Sequence, residues 1–153
     1  MTSDLSSLLD KRNGHCHLIG ICGVGMAGLA YFLKQRGINV TGCDQAQNTL
    51  QTWLSLNGIM IKNSHNSDHV MGDPDWVVRS AAVAEKHIEV QAALQNGIPV
   101  FSRGEVLPKL LAGYRSIAVS GTHGKTTTAS FITQIMRITG KDPAWCIGGD
   151  TEG

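Results

Sequence analysis

The sequence has few cysteines and no motif that pairs them. Its four cysteines, at positions 16, 22, 43 and 146, include no Cys-x-x-Cys spacing. No signal-like apolar stretch opens the chain, and no apolar run approaches the length of a membrane span. These absences predict a reduced protein of the cytoplasm, without a membrane partner.

An excess of charge of either sign is also missing. Lysine and arginine total 13 and aspartate and glutamate total 12, which gives a formal net charge of +1. We therefore expect neither a basic surface for nucleic acid nor a polybasic patch for a membrane. Phosphate groups can still bind such a chain, because backbone N–H groups bind anions without help from lysine. The sequence does not define an oligomeric state.

The pattern of the chain is an alternation of short strands and helices. With 153 residues, 42% of them hydrophobic, it has room for one domain, or one domain and part of a second. Strands are predicted at 15–20, 38–44, 59–63, 75–80, 98–102 and 114–120, and helices at 23–37, 48–58, 85–97, 103–113 and 125–140. This order predicts an α/β fold: a Rossmann-like parallel sheet with helices on both faces. Ligands of such sheets bind at the carboxyl ends of the strands.

The first glycine-rich loop follows the first predicted strand. Residues Gly23-Val-Gly25-Met-Ala-Gly28 match G-x-G-x-x-G and open a predicted helix, which is the context that this motif requires. Glycines allow a tight turn and let a diphosphate approach the backbone. The N–H groups and the dipole at the start of the helix then favour the anion. A tight turn without a ligand is the alternative.

Asp44 ends the second predicted strand, 21 residues after Gly23. In nicotinamide enzymes an acid at such a place holds a ribose hydroxyl, so the loop and Asp44 alone suggest an NAD-dependent oxidoreductase domain. A helix cap or turn residue is the alternative for Asp44.

A second glycine-rich loop occupies residues 118–128, "AVSGTHGKTTT". It keeps the Gly124-Lys125-Thr126 end of a phosphate loop, although Val119 takes the place of the first glycine. Lys125 would reach the β- and γ-phosphates of ATP, and the Thr126 hydroxyl would ligate Mg²⁺. Thr127 and nearby N–H groups would complete the cradle. A dehydrogenase has no need of this loop, and a simple ATPase has no need of the first.

Two pairs of histidines have spacings that a metal site could use. His15 and His17 would share one face of a strand, but no third ligand is evident and the stretch is interpreted as an entering strand. His65 and His69 are four residues apart, in a segment interpreted as a polar loop.

Together the two loops resemble the Mur ligase family, the ATP-dependent amide-forming ligases of peptidoglycan synthesis. The marker is "GTHGKTTT" at 121–128. Four other stretches resemble the first domain of the same family in order and spacing: "HLIGICGVGMAGLA" (17–30), "VTGCD" (40–44), "DWVVRSAAV" (75–83) and "GIPVFSRGEVL" (97–107). His123 resembles the members that add L-alanine to UDP-N-acetylmuramate. Members that add a ready-made tripeptide share this histidine and are the alternative within the family.

The resemblance implies roles for individual residues. The first loop (Gly23, Val24, Gly25, Met26, Ala27 and Gly28) would hold the UDP diphosphate, and Asp44, His65 and Ser80 would lie near the uridine or the sugar. The second loop (Gly121, Thr122, His123, Gly124, Lys125, Thr126 and Thr127) would bind ATP, with Lys125 and Thr126 as catalytic residues and Thr126 on Mg²⁺.

The resemblance also implies a division of the chain. The polar, weakly periodic residues 1–14 are themselves predicted to be a flexible, frayed arm or a short helix. On the resemblance, 15–112 would be a Rossmann-like domain that binds UDP-N-acetylmuramate, and 113–153 the first βα unit of a truncated ATP-binding domain. In the parent enzyme ATP would phosphorylate the substrate carboxylate and L-alanine would attack the acyl phosphate. This chain alone is expected to be inactive. An NAD-dependent oxidoreductase domain and a non-enzymatic nucleotide sensor remain alternatives.

Overall fold

The protein divides into two compact units. The structure, a computed structural model, describes residues 4–72, 74–145 and 147. The first unit is Met1–Gly113 and the second is Tyr114–Gly153. The functional roles assigned above to the two parts of the chain stay predictions.

A five-stranded parallel sheet forms the centre of the first unit. Its strands are β1 His15–Ile19, β2 Asn39–Cys43, β3 Met60–Lys62, β4 Trp76–Arg79 and β5 Val100–Ser102. Their spatial order is β3-β2-β1-β4-β5, and every neighbouring pair is parallel. The predicted α/β fold with a Rossmann-like parallel sheet is confirmed, since this is the strand order of the doubly wound class.

Helices of the first unit cover both faces of this sheet. They are α1 Leu5–Asp10, α2 Val24–Gln35, α3 Thr49–Leu56, a 3₁₀ helix Ser67–His69, α4 Ile88–Gln95 and α5 Arg103–Leu111. Strand β4 shows how the faces separate: Trp76 and Val78 join the core with α2 and α5, whereas Val77 joins the core with α4. Residues two apart share a face of a strand, so one short strand supplies both cores.

Helix α1 bears on the prediction of a flexible arm or a short helix at 1–14. Leu5, Leu8 and Leu9 of this helix are buried in the same core as α2 and α5. Their spacing places the three leucines on one helical face, and burying that face holds the segment on the domain. Of the two expectations, the short helix is the one that forms at Leu5–Asp10, and the flexible arm is wrong for these residues.

The second unit contains one long helix, α6 Lys125–Ile138. The predicted helix is confirmed, but among the described residues of 114–120 no strand forms. A β-strand needs a hydrogen-bonded neighbour, and the described part of this unit offers none. Large apolar side chains of α6, Phe131 and Ile135 among them, are exposed.

None of the helices in the described part of the chain has both the length and the apolar character needed to cross a membrane.

Candidate functional site

The first glycine loop lies at β1, the strand on whose two sides the later strands of the sheet are added. β1 is flanked by β2 on one side and by β4 on the other, so the carboxyl ends of β1 and β4 border the crevice where such sheets bind ligands. The loop begins directly after β1. The N–H groups of Gly20 and Ile21 donate to the carbonyl of Cys43 at 2.9 and 3.1 Å. The loop is thereby fixed to the end of β2.

Gly20 and Ser80 meet at this crevice. Gly20 has φ +78°, a conformation that side chains rarely adopt, and a Cβ there would lie 3.0 Å from the Cβ of Ser80. The Ser80 N–H donates to the carbonyl of Ile19 at 3.0 Å, and its hydroxyl accepts from the Ala82 N–H at 3.4 Å. The structure therefore places Ser80 beside the start of the loop.

Helix α2 starts at the loop and presents its amino terminus there. Gly23 is the N-cap, and its carbonyl accepts the N–H groups of Met26 and Ala27 at 2.8 Å. The side chains of Met26 and Ala27 are buried in the core, while Gly23 and Val24 are exposed. Met26 and Ala27 therefore turn their side chains into the core, and their N–H groups already have an acceptor in Gly23. The first N–H groups of a helix lack intrahelical acceptors, and together with the dipole they favour an anion here.

Arg103 is a residue of this site that the sequence analysis missed. A Cβ built on Gly25 would lie 2.7 Å from Nη1 and 3.0 Å from Cζ of Arg103. The guanidinium therefore packs directly on the backbone of the first turn of α2, in space that any other residue at 25 would fill. Among the residues that the structure describes, no carboxylate pairs with Arg103. The available signal was its position, the first residue after β5 at the same edge of the sheet.

Asp44 holds the loop rather than standing free at the strand end. Its Oδ2 accepts the Cys22 N–H at 2.8 Å, and its Oδ1 accepts the Ala46 N–H at 2.8 Å. These two hydrogen bonds fit the alternative in which Asp44 is a turn residue. Each carboxylate oxygen still has a further lone pair that could accept a hydrogen bond. Burial and the charge of Asp44 raise the pKa of Cys22 to about 11, so this thiol stays protonated at neutral pH and is not a nucleophile.

His65 lies apart from the loop backbone, on the face of the sheet covered by α4. Its Nδ1 is 3.3 Å from Cys43 Sγ and 3.5 Å from Glu89 Oε1, and its ring packs edge-on against His87 at 4.6 Å. Burial and the neighbouring His65 lower the pKa of His87, although Glu89 opposes this shift. The structure brings Gly23–Gly28, Asp44 and Ser80 to the edge of the sheet formed by the carboxyl ends of the strands. It places His65 away from that edge, on the face of the sheet that α4 covers.

The second loop ends at the start of α6 in the second unit. Gly124, the N-cap, has φ +75°, and the Thr128 N–H donates to its carbonyl at 2.9 Å. Lys125 Nζ donates to the carbonyls of Gly121 and Thr122 at 2.6 and 3.2 Å. The loop is therefore curled around the ammonium group. This curl, followed by a helix terminus, fits the shape that holds a phosphate chain.

Thr126 and Thr127 occupy the first turn of α6 and are exposed. A hydroxyl at this position is the donor type that Mg²⁺ takes in phosphate loops, so the residues present fit an Mg²⁺–ATP site.

The strand order and the glycine turn define the class of protein to which this chain belongs. A parallel sheet of order 3-2-1-4-5 with a glycine turn at its crevice is a Rossmann-like α/β protein.

Comparison with known proteins agrees with this class of protein and identifies one family within it. The model of the "Mur ligase family, catalytic domain" matches residues 15–115. The chain belongs to the Mur ligase family.

Curated relatives and solved structures resemble the chain over most of its length. The UDP-N-acetylmuramate–L-alanine ligase of Neisseria gonorrhoeae is 43% identical over 142 residues, 93% of this chain and 30% of the relative. That of Kineococcus radiotolerans is 40% identical, over 100% of this chain and 33% of the relative. The UDP-N-acetylmuramate–alanine ligase structure from Thermotoga maritima has a TM-score of 0.84 at 29% identity, covering 90% of this chain and 32% of that one.

A second kind of ligase is equally similar in structure. The UDP-N-acetylmuramate:L-alanyl-γ-D-glutamyl-meso-diaminopimelate ligase from Neisseria meningitides has a TM-score of 0.85 at 33% identity, covering 91% of this chain and 44% of that one. The chain spans about a third of the length of the curated relatives it matches.

Proposed function

We propose that this chain is the substrate-binding first part of an ATP-dependent ligase that joins L-alanine to UDP-N-acetylmuramate in peptidoglycan synthesis. The observation that carries the proposal is the glycine loop at the crevice of the sheet, with the Arg103 guanidinium packed on Gly25. Backbone N–H groups and an adjacent guanidinium together are the donors that a diphosphate needs. The L-alanine ligases among the curated relatives support this choice of substrate.

The first loop would hold the UDP diphosphate. Within residues Gly23–Gly28, the N–H groups of Val24 and Gly25 in the first turn of α2 would donate to it, with Arg103 adding a cationic fork. Ser80 and Asp44 border the same edge of the sheet, where the uridine or the sugar would lie. His65 would approach the ligand from the face of the sheet that α4 covers, where its imidazole contacts Cys43 and Glu89. Binding energy from this remote nucleotide would position the reacting carboxylate.

The second loop would bind ATP through Gly121–Thr127. Lys125 would leave the carbonyls of Gly121 and Thr122 for the phosphates, and the Thr126 hydroxyl would hold Mg²⁺. Bound Mg²⁺ supplies charge neutralisation on the phosphate chain. Transfer of the γ-phosphoryl group to the substrate carboxylate gives ADP and an acyl phosphate. The amine of L-alanine then displaces phosphate and forms the amide.

The remaining parts of such an enzyme lie outside this chain, which spans about a third of its relatives. We therefore expect the chain to bind UDP-N-acetylmuramate and to produce no ADP in response to L-alanine. Production of ADP that depends on L-alanine would contradict this expectation.

A tripeptide-adding ligase is the second candidate, favoured by the similarity to the Neisseria meningitides structure. Both candidates begin with the same nucleotide sugar, so they differ in the amine that is joined. Assay of the parent protein with L-alanine and with L-alanyl-γ-D-glutamyl-meso-diaminopimelate, each in the presence of ATP, distinguishes them.

Isothermal titration calorimetry tests the proposal on this chain. UDP-N-acetylmuramate should bind with one site per chain, and UDP should compete for it. NAD should not bind. Binding of NAD with no binding of UDP-N-acetylmuramate would support an oxidoreductase domain instead and would overturn the proposal.

A further inference from the structure

Four side chains that bind metals in other proteins converge on the α4 face of the sheet. They are His17 of β1, Cys43 of β2, His69 of the 3₁₀ helix and Glu89 of α4. One potential ligand atom from each lies within 4.8 Å of each of the others. We call these four residues the His–Cys–Glu cluster. The glycine-loop site described above does not use them.

The cluster is buried, so the charge of the Glu89 carboxylate lies in the protein interior. His17 is 1% exposed, and both Cys43 and Glu89 are 0% exposed. Glu89 Oε1 accepts the Asn66 N–H at 2.8 Å and lies 2.9 Å from His69 Nδ1, while its Oε2 accepts the Cys43 S–H at 2.8 Å. A carboxylate this deep is costly unless a cation or several donors compensate it.

His17 Nε2 is a buried polar atom with no hydrogen-bond partner, and it points into the cluster. It lies 4.0 Å from Glu89 Oε2, beyond hydrogen-bond distance. Native interiors rarely leave such an atom unpaired, so this one calls for a partner that the polypeptide does not provide.

The other nitrogen of His17 is already engaged. Thr41 Oγ1 lies 2.9 Å from His17 Nδ1 and 2.9 Å from His15 Nε2. A hydroxyl has one proton to donate, so at least one imidazole must donate to it. When Thr41 donates to His15 and accepts from His17 Nδ1–H, a lone pair remains on His17 Nε2 and faces the cluster. Such an outer hydrogen bond is the usual support of a metal-binding histidine.

From this arrangement we propose that His17, Cys43, His69 and Glu89 form a structural zinc site in the first unit. The ligand atoms are His17 Nε2, Cys43 Sγ, His69 Nδ1 and one carboxylate oxygen of Glu89. On binding, the Cys43 thiol loses its proton to solvent and its hydrogen bond to Glu89 gives way to a Zn–S bond. The bond to Zn²⁺ likewise replaces the contact of His69 with Glu89.

The chemistry of the donors selects the ion. Two imidazoles, a thiolate and a carboxylate suit Zn²⁺, whereas Mg²⁺ and Ca²⁺ prefer oxygen ligands alone. Zinc bonds of roughly 2.0–2.3 Å place tetrahedral ligand atoms roughly 3.3–3.8 Å apart. On binding, the longest separations in the cluster, which reach at most 4.8 Å, would shorten, and the 2.8 and 2.9 Å contacts of Glu89 with Cys43 and His69 would lengthen. Four protein ligands close the site, which is typical of structural zinc. The ion would link β1, β2, the 3₁₀ helix and α4.

Metal titration tests the site without any nucleotide sugar, so its outcome is independent of the proposed function. The chain is freed of metal with a chelator and titrated with Zn²⁺ against a chromogenic chelator. One Zn²⁺ per chain should bind with submicromolar affinity, and the melting temperature should rise with free Zn²⁺. Co²⁺ in place of Zn²⁺ should give a tetrahedral visible spectrum and a thiolate charge-transfer band.

Variants assign the ligands. Cys43→Ser and His69→Gln should each weaken Zn²⁺ binding by more than about 100-fold, since even the outer partners of a metal ligand are worth about 10- to 100-fold. Cys22→Ser, a buried thiol outside the cluster, and His123→Gln, an exposed imidazole, should bind as the parent does. Zn²⁺ binding unchanged in Cys43→Ser, an octahedral Co²⁺ spectrum, or no stoichiometric binding by the parent would overturn the proposal. The Co²⁺ spectrum of the parent decides the matter even if a variant does not fold.

Discussion

Asp44 accepts a hydrogen bond from the backbone N–H of Cys22, with 2.8 Å between Oδ2 and the nitrogen. The bond joins the residue after β2 to the glycine loop after β1. The second carboxylate oxygen accepts the Ala46 N–H, so one side chain orders two turns at the same edge of the sheet. Asp44 thus shapes the loop, whether or not it also touches a ligand.

Replacing Asp44 with alanine should therefore cost stability as well as binding. Two backbone N–H groups would lose their acceptor, and we expect the free energy of unfolding to fall by about 1–2 kcal/mol. Urea denaturation measures the change. Asp10→Ala is the matched control, because Asp10 is exposed and its contact with Arg36 is 3.4 Å long. An Asp44→Ala variant as stable as the parent would limit Asp44 to ligand contact.

Replacing Gly25 with valine should abolish binding of UDP-N-acetylmuramate. The new side chain would occupy the space of the Arg103 guanidinium and displace it from the start of α2. Calorimetry measures the loss, and circular dichroism should show that the fold remains. Gly72→Ala is the control, because a Cβ at Gly72 meets nothing within 4 Å. Parental affinity in Gly25→Val would show that the ligand lies elsewhere.

Replacing Arg103 with alanine should weaken UDP-N-acetylmuramate binding by about 10- to 100-fold. Hydrogen bonds to a charged group are worth about 1.5–3 kcal/mol, and each 1.4 kcal/mol is tenfold in affinity. Arg36→Ala removes the same charge at the opposite end of α2 and should leave the affinity unchanged. Equal losses in both variants would indicate a general effect of charge rather than a contact.

Replacing Lys125 with alanine should leave UDP-N-acetylmuramate affinity within about twofold of the parent, less than 0.5 kcal/mol. Lys125 Nζ donates to the carbonyls of Gly121 and Thr122 in its own loop, in the second unit. Calorimetry with the nucleotide sugar measures this directly. A loss of tenfold or more would mean that both glycine loops hold one ligand.

Asp75 gives an expected pH dependence of stability. The Lys11 ammonium, 2.5 Å away, and the His15 N–H at 2.8 Å lower the pKa of Asp75 below its ordinary value. A depressed carboxyl pKa contributes stability above the unfolded pKa of about 3.9 and loses it as the pH falls through the folded value. Asp75→Asn should therefore be less stable than the parent at pH 7, and the difference should shrink below pH 4.

Urea denaturation at several pH values checks the Asp75 prediction. The control is Asp68→Asn, which replaces an exposed carboxylate in the 3₁₀ helix. A difference between Asp75→Asn and the parent that stays constant from pH 7 to pH 3 would contradict the assigned cause.

Local sequence signals were sufficient for most of the fold. Alternating apolar runs and glycine punctuation predicted the five strands of the sheet and the helices between them, because parallel strands buried on both faces leave continuous apolar stretches. The same signals failed at 114–120, where the run is apolar but no partner strand is described. They left Leu5–Asp10 open between a flexible arm and a short helix, because this helix is held by packing against distant residues.

Some residues of the candidate site could likewise be predicted from the sequence, and others could not. The two glycine loops and Asp44 were predicted from sequence, because phosphate loops depend on short fixed spacings. Arg103 was not, since its neighbour Gly25 is 78 residues away in the chain. The roles of these residues toward UDP-N-acetylmuramate and ATP stay predictions.

The sequence by itself determined the order of strands and helices, the positions of both glycine loops and the resemblance to the Mur ligases, because each is written in neighbouring residues. Only the tertiary structure brought His17, Cys43, His69 and Glu89 to within 4.8 Å of one another. The physical reason is the geometry of a parallel sheet. Adjacent strands lie about 5 Å apart, so side chains on one face meet across gaps that sequence spacing does not reveal.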